Sequence, residues 1–295
     1  MRVLVVGGSG FVGRNLCREL KERGHQVTAL SRSPGGSGLP KGVSKAMGNV
    51  TAYESIEGHF EGMDAAVNLV SLSPLFKPKG GDERHAEVHV GGTENVVRAC
   101  EEHGVERLVQ MSGNGADPNG PTHFLRAKGR AEEVVRDSSL EWTIFRPSVV
   151  FGEGDEFVGF TKLLSPPYVT PLPGGGETPF QPVWIGDLAP MMADSLEDDE
   201  HVGRTYTIGG PEVLTLAEVA RMAHEADGRS VNVVPIPMPL AGIGLRIADV
   251  IPGVPFGADQ YRSLQVDNSV PDNDVTAFGR SESDLKTLRE YLAGE

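Results

Sequence analysis

The feature that most constrains this chain is its opening run, Val3-Leu4-Val5-Val6-Gly7-Gly8-Ser9-Gly10-Phe11-Val12-Gly13. Four apolar, mostly β-branched residues read as a fully buried strand. Gly7, Gly10 and Gly13 follow at once, with Gly8 beside the first. Phe11, Val12, Leu16 and Leu20 then recur with helical period as far as Glu22-Arg23-Gly24. Strand, glycine turn and helix in this order make a glycine motif a dinucleotide motif. A tight turn needs positive φ, a pyrophosphate needs bare backbone close by, and the helix must lie tight on its strand. The helix N-terminus offers unpaired N–H groups and partial positive charge to the phosphates. Gly7, Ser9, Gly10, Phe11, Val12 and Gly13 are therefore expected to line the phosphate site.

Further strands are predicted at His25–Leu30, Ser44–Val50, Ala65–Val70, Arg107–Met111 and Trp142–Arg146. Between them lie helices at about Asp82–His103 and Leu125–Ser138, and a glycine- and proline-rich loop from Pro34 to Gly42 that is expected to be mobile. This alternation predicts an α/β fold, a doubly wound parallel sheet of the Rossmann type, with ligands beyond the carboxyl ends of the strands. From Phe151 the rhythm breaks, prolines and glycines crowd Ser165 to Pro182, and helices dominate afterwards. Thr215-Leu216-Ala217-Glu218 is a capping box, and Ser281 to Tyr291 reads as one final amphipathic helix. The expected division is a dinucleotide-binding domain over residues 1–160, with a strand returning near 205–209, and a smaller, mostly helical lobe over 161–295.

Composition narrows the class. The 295 residues carry a net charge of −14, which argues against nucleic-acid binding. Eight lysines stand against nineteen arginines, an acidic, lysine-poor balance that suits a chain kept hydrated in concentrated salt and points to a halophilic source. Cys17 and Cys100, both on predicted helices, form neither a disulfide framework nor a metal site. With no apolar leader in view, a cytoplasmic protein is expected.

The end of the second strand decides which dinucleotide fits. NAD selection places an acid there for the ribose 2′-hydroxyl. No acid occurs between His25 and Pro40, and Arg32 stands there between Ser31 and Ser33. A guanidinium matches a 2′-phosphate in charge and fork geometry, so NADP(H) is expected in preference to NAD(H).

These residues resemble the short-chain dehydrogenase/reductase superfamily, in the extended or atypical branch that includes NAD-dependent epimerases and dehydratases. The similarity runs from the glycine motif through Gly48-Asn49-Val50, Asn68-Leu69-Val70, Gly92-Thr93-Glu94-Asn95-Val96-Val97, Arg146–Gly152 and Gln181–Ala189. Ala258–Asn268 is similar to one subgroup, the accessory subunit of respiratory complex I and its bacterial and archaeal relatives. The resemblance implies that Asn49 and Val50 lie by the adenine, Leu69, Val70 and Ser71 by the ribose and phosphates, and Pro147 to Val149 by the nicotinamide.

In that superfamily a Tyr-x-x-x-Lys pair, helped by a Ser or Thr, does the acid/base work. The matching stretch is Phe124-Leu125-Arg126-Ala127-Lys128, with Ser112 at the end of the fifth strand. The resemblance makes Ser112 and Lys128 the candidate catalytic residues, with Lys128 also on the cofactor. Phenylalanine transfers no proton, and a missing acid/base group forfeits roughly two to four decades of rate. Either His123 or Ser112 substitutes, or the substrate supplies the proton, or no reaction occurs. The expectation is an NADP(H)-binding protein that holds its cofactor for a structural, assembly or redox-sensing role. The alternative is an active NADPH-dependent reductase or sugar-nucleotide epimerase/dehydratase with a proton donor other than tyrosine.

Weaker signals remain. His85 and His89, four residues apart, lack a third metal ligand, so no metal site is expected. The acidic run Glu197–Glu200 reads as a solvated helix end. The apolar stretch Pro235 to Phe256 reads as a cap over a small apolar or quinone-like substrate, or as a contact for a membrane surface or a protein partner.

Overall fold

A computed structural model describes residues 1–35, 38–249, 251 and 256–294, with side chains of residues 245–249 outside the description. Residues 36 and 37 of the loop expected to be mobile, and 250 and 252–255 of the apolar stretch, lie outside the described residues.

Strands β1 (Arg2–Val6), β2 (Gln26–Ser31), β3 (Ser44–Met47), β4 (Ala65–Asn68), β5 (Arg107–Met111) and β6 (Glu141–Pro147) join Arg204–Ile208 in one seven-stranded sheet. Its order is β3-β2-β1-β4-β5-β6, with Arg204–Ile208 beyond β6. The pairings from β3 through β6 are parallel. Sequence order reverses beside β1, which puts the glycine turn at the switch point of the sheet, where such folds bind ligands. The returning strand near residues 205–209 is thus present.

The pleat explains why β1 is apolar throughout. Leu4 and Val6 pack with Val96, Val97, Cys100 and Val135, from helices α2 (Gly92–His103) and α3 (His123–Arg136). Val3 and Val5, also fully buried, point to the other face. Helix α1 (Phe11–Glu22) lies beside helix Ile185–Glu197. Arg23 joins them, holding Asp194 and Glu197 at 2.7 Å each, and His25 meets Glu197 at 2.7 Å. The first member of the acidic run is therefore engaged in ion pairs rather than simply solvated.

The chain divides into two compact units. One comprises residues 1–72, 83–146 and 185–206; the other comprises 73–82, 147–184 and 207–295. The division is discontinuous, unlike a single cut after residue 160, because the chain returns to the sheet with helix Ile185–Glu197 and strand Arg204–Ile208.

The second unit has helices including Phe157–Leu164, Leu216–Glu225 and Met238–Asp249, and also three two-stranded ribbons. Thr215 and Glu218 form the expected capping box. The expected last helix is instead two short ones, Glu282–Asp284 and Leu288–Ala293. Ser281–Asp284 and Thr287–Glu290 are separate capping boxes, and Leu285 between them is extended. Each box starts its own helix, so the amphipathic pattern is interrupted.

Candidate dinucleotide-binding site

The glycine turn is built from backbone hydrogen bonds. Gly7 N donates to Leu30 O at 2.8 Å, and Gly10 N to Gly7 O at 3.0 Å. Gly7 has φ +88°, a left-handed conformation natural only to glycine. A Cβ on Gly13 would lie 2.4 Å from Gly7 O and 2.7 Å from Gly8 Cα, so only glycine lets α1 sit this close to the turn. No side chain caps α1 at Gly10 and no acid occupies its first turn. The amides there are left for an anion. A bare cradle with unspent donors fits a dinucleotide pyrophosphate. Ser9, Phe11 and Val12 are half-buried around it.

At the end of β2, Arg32 is exposed and makes no hydrogen bond or ion pair with the described residues. The preceding Ser31 Oγ is buried without a hydrogen-bond partner among the described residues. Asn49 spends its side chain on its own turn, donating to Thr51 Oγ1 at 2.8 Å and accepting from Thr51 N at 3.3 Å. Val50 belongs to the apolar core, and its carbonyl accepts from Asn95 Nδ2 at 2.7 Å. The Asn49–Val50 segment thus offers backbone and an apolar wall rather than a free amide. The segment after β4 abuts the turn: a Cβ on Gly7 would be 3.2 Å from Leu69 C and from Val70 N. Leu69 is buried, Val70 half-buried and Ser71 exposed.

Helix α3 starts two residues earlier than its apolar period suggests, because the Thr122 side chain accepts from Leu125 N. His123 is its first residue. Phe124, Lys128 and Glu132 follow at intervals of four on one face. Lys128 is 1% exposed, and its Nζ donates to Met111 O at 3.1 Å and lies 5.7 Å from the Phe124 ring centre. Burial lowers its pKa to about 8, against the opposing pull of Glu132.

Ser112 is also buried, and its Oγ donates to Glu132 Oε1 at 2.5 Å. A hydroxyl has one proton. In this arrangement that proton is directed at Glu132, and Ser112 presents only lone pairs to other groups. The fully buried Glu132 is held further by Arg146 Nε at 2.8 Å and Arg136 Nη2 at 2.8 Å. Sequence reading missed Glu132, although an acid four residues after Lys128 was the available signal.

The long helix expected from Asp82 winds as a π-helix over Ala86–Gly91 before α2 begins. His85 and His89 are both buried along it. Their rings stand edge-on to Phe124, with centres 5.8 and 5.5 Å away. The pair therefore packs beside the missing tyrosine's position.

Pro147 and Val149 fall in the second unit. Pro147 ends β6, and Val149 packs against the cluster of Phe151, Phe157, Leu214, Val219 and Leu288. Between them Ser148 Oγ donates to Asn268 O at 2.8 Å and accepts from Gln181 N at 3.2 Å. Gln181 also binds Gly210 O and Val270 N, at 2.8 Å each. Gln181 and Asn268, both in the quoted motifs, thus brace this segment.

Comparison with known proteins agrees with this geometry. Residues 7–161 match the NAD(P)H-binding family. The chain is 30% identical over 288 residues to the mitochondrial NADH dehydrogenase [ubiquinone] 1 alpha subcomplex subunit 9 of Arabidopsis thaliana, covering 91% of this chain and 71% of that protein. It is 28% identical over 260 residues to a 3 beta-hydroxysteroid dehydrogenase/Delta 5-->4-isomerase of Mycobacterium tuberculosis, covering 77% of this chain and 70% of that one. The fold matches the UDP-glucose 4-epimerase of Thermus thermophilus, solved with NAD, at a TM-score of 0.75 and 23% identity over 99% of this chain and 97% of that chain. The chain therefore belongs to the NAD(P)H-binding family, with the epimerase/dehydratase-like fold of the short-chain dehydrogenases/reductases.

Proposed function

We propose that this protein binds NADP(H) and holds it chiefly for a structural, assembly or redox-sensing role. The observation that carries this reading is the loss of both proton donors. Phe124 has none, and Ser112 spends its own on Glu132. A bound nicotinamide would supply hydride chemistry, but neither a phenol nor a free serine hydroxyl stands ready to deliver the accompanying proton. The likeness to a complex I subunit supports an assembly role with protein partners. Leu240 and Ile243, exposed on helix Met238–Asp249, supply apolar surface that such a partner would cover.

A second reading, an NADPH-dependent reductase or epimerase/dehydratase without tyrosine, draws on Lys128. An ammonium with its pKa brought to about 8 is itself a usable acid near neutral pH. Turnover separates the two. Mass spectrometry of the purified protein is expected to show a bound dinucleotide, while NADPH absorbance stays unchanged with a panel of carbonyls and quinones. Robust oxidation abolished by Lys128→Ala overturns the non-catalytic reading.

The cofactor preference has its own test. Arg32 is exposed and unpaired among the described residues, so Arg32→Ala is expected to cost the fold little. It is expected to weaken NADPH about tenfold or more, the worth of a charge-assisted hydrogen bond, and to change NADH less than about threefold. Calorimetric titration with both nucleotides measures this, and equal weakening refutes a 2′-phosphate contact.

A further inference from the structure

The loop after β4 is pinned at three points. Leu69 N donates to Val6 O at 2.8 Å, and Val70 N to Asn68 Oδ1 at 3.3 Å. Leu72 N donates to His89 Nε2 at 2.9 Å. The near end of this loop touches Gly7, the first glycine of the phosphate turn. His89, seventeen residues further along, holds its far end.

A backbone N–H can only donate, so Nε2 must present its lone pair and the ring proton must sit on Nδ1. A protonated imidazole has no lone pair left and cannot hold Leu72. Among the described residues His89 Nδ1 is buried without a hydrogen-bond partner. Within that set the ring therefore has one hydrogen bond, and that bond exists only in the neutral state.

We propose that His89 is a positioning residue whose neutral imidazole holds the Leu69–Leu72 loop against the glycine turn, so that protonating it releases the loop and loosens the dinucleotide. This rests on dinucleotide binding at the glycine turn. The titratable groups facing His89 are Lys128 from α3 and His85 from the preceding helical turn, while Leu69–Leu72 brings none. Burial first, then the charges of Lys128 and His85, keep His89 neutral well below the ordinary histidine range. The loop is thus secured at neutral pH and released in acid.

The test uses the full chain and two substitutions. His89→Gln puts a carboxamide oxygen that does not titrate at about the reach of Nε2. His89→Phe fills the space without an acceptor. NADH is the probe, because the 2′-phosphate of NADPH titrates near pH 6 on its own account. Calorimetry on wild type is expected to give a steady affinity from pH 8 down through the ordinary histidine range and a loss of about tenfold only in more acid solution, where the lowered His89 takes its proton, the net worth of one hydrogen bond. His89→Gln is expected to stay within about threefold over that range. His89→Phe is expected to be about tenfold weaker already at pH 7 and to lose little more in acid.

Amide hydrogen exchange at Leu72, read as a protection factor in the absence of nucleotide, gives an arm independent of binding. Protection is expected to fall about tenfold in His89→Phe and to persist in His89→Gln. The same acid loss in His89→Gln as in wild type overturns the proposal. So does wild-type protection of Leu72 in His89→Phe. Protection that follows this pattern in a wild-type protein binding no NADH or NADPH sustains the loop contact and overturns dinucleotide binding instead. If His89→Phe does not fold, wild type against His89→Gln decides.

Discussion

Replacing Lys128 with methionine is expected to stabilise the ligand-free protein by about 2 kcal/mol and to weaken its dinucleotide binding roughly 10- to 100-fold. Opposite signs are what a lysine buried for the sake of a ligand would give. Its pKa falls from 10.5 to about 8, chiefly through burial. At neutral pH that shift corresponds to about 3 kcal/mol spent keeping an ammonium out of water. The substitution also removes the hydrogen bond to Met111 O, worth about 1 kcal/mol. That carbonyl keeps a second donor, Gln110 Nε2 at 3.2 Å, so it is not left bare. Glu132 keeps Ser112, Arg136 and Arg146.

The pH dependence carries the same sign. Between pH 8 and 10.5 the unfolded chain holds a proton on Lys128 that the folded chain has released. Stability from this group therefore rises with pH across that window, at up to about 1.4 kcal/mol per unit, and is flat below it. Urea denaturation of wild type and Lys128→Met from pH 7 to 10.5 measures the difference. A destabilised variant with unchanged NADH and NADPH affinity would make Lys128 a packing residue and remove it from the site.

The first unit was legible because its strands are buried on both faces and are written as apolar runs. Val3–Val6 and Ala65–Val67 need no partner to be recognised. The ribbons of the second unit carry no such signal. Tyr168–Pro173 pairs with Val231–Ile236, yet prolines at 171, 173 and 235 interrupt both strands. The final helix was misjudged by weighing its apolar period above its caps, although Thr287 and Glu290 repeat the rule that located Thr215 and Glu218. Within the site, residue types announced the cradle, but hydrogen-bond direction did not appear in them. Ser112 sits where the resemblance places it, and only its distance to Glu132 shows where its proton goes. The same holds for His89, whose four-residue spacing to His85 is visible in the sequence while its bond to Leu72 is not.

Two glycines of one motif are expected to fail in different ways. Gly13→Ala is expected to destabilise the fold by about 3 kcal/mol, near the upper end for overpacking. Its new methyl would stand 2.4 Å from Gly7 O and 2.8 Å from Gly8 C, atoms of a rigid turn that cannot yield as a side chain would. Gly10→Ala is a different case. Gly10 has φ −72° and ψ 176°, a conformation open to any residue. The nearest atom to its Cβ is Gly7 O at 3.3 Å, and the position is exposed. The fold should change by less than about 1 kcal/mol. The added methyl lies at the cap of α1, beside the amides a pyrophosphate would use. Losing close approach of several charge-assisted hydrogen bonds predicts an affinity about 100-fold lower for NADH and NADPH alike. Urea denaturation and calorimetry on both variants separate the roles. A Gly10→Ala protein that binds both nucleotides as wild type does would place the phosphates away from the N-terminus of α1, and the turn would then be a packing device alone.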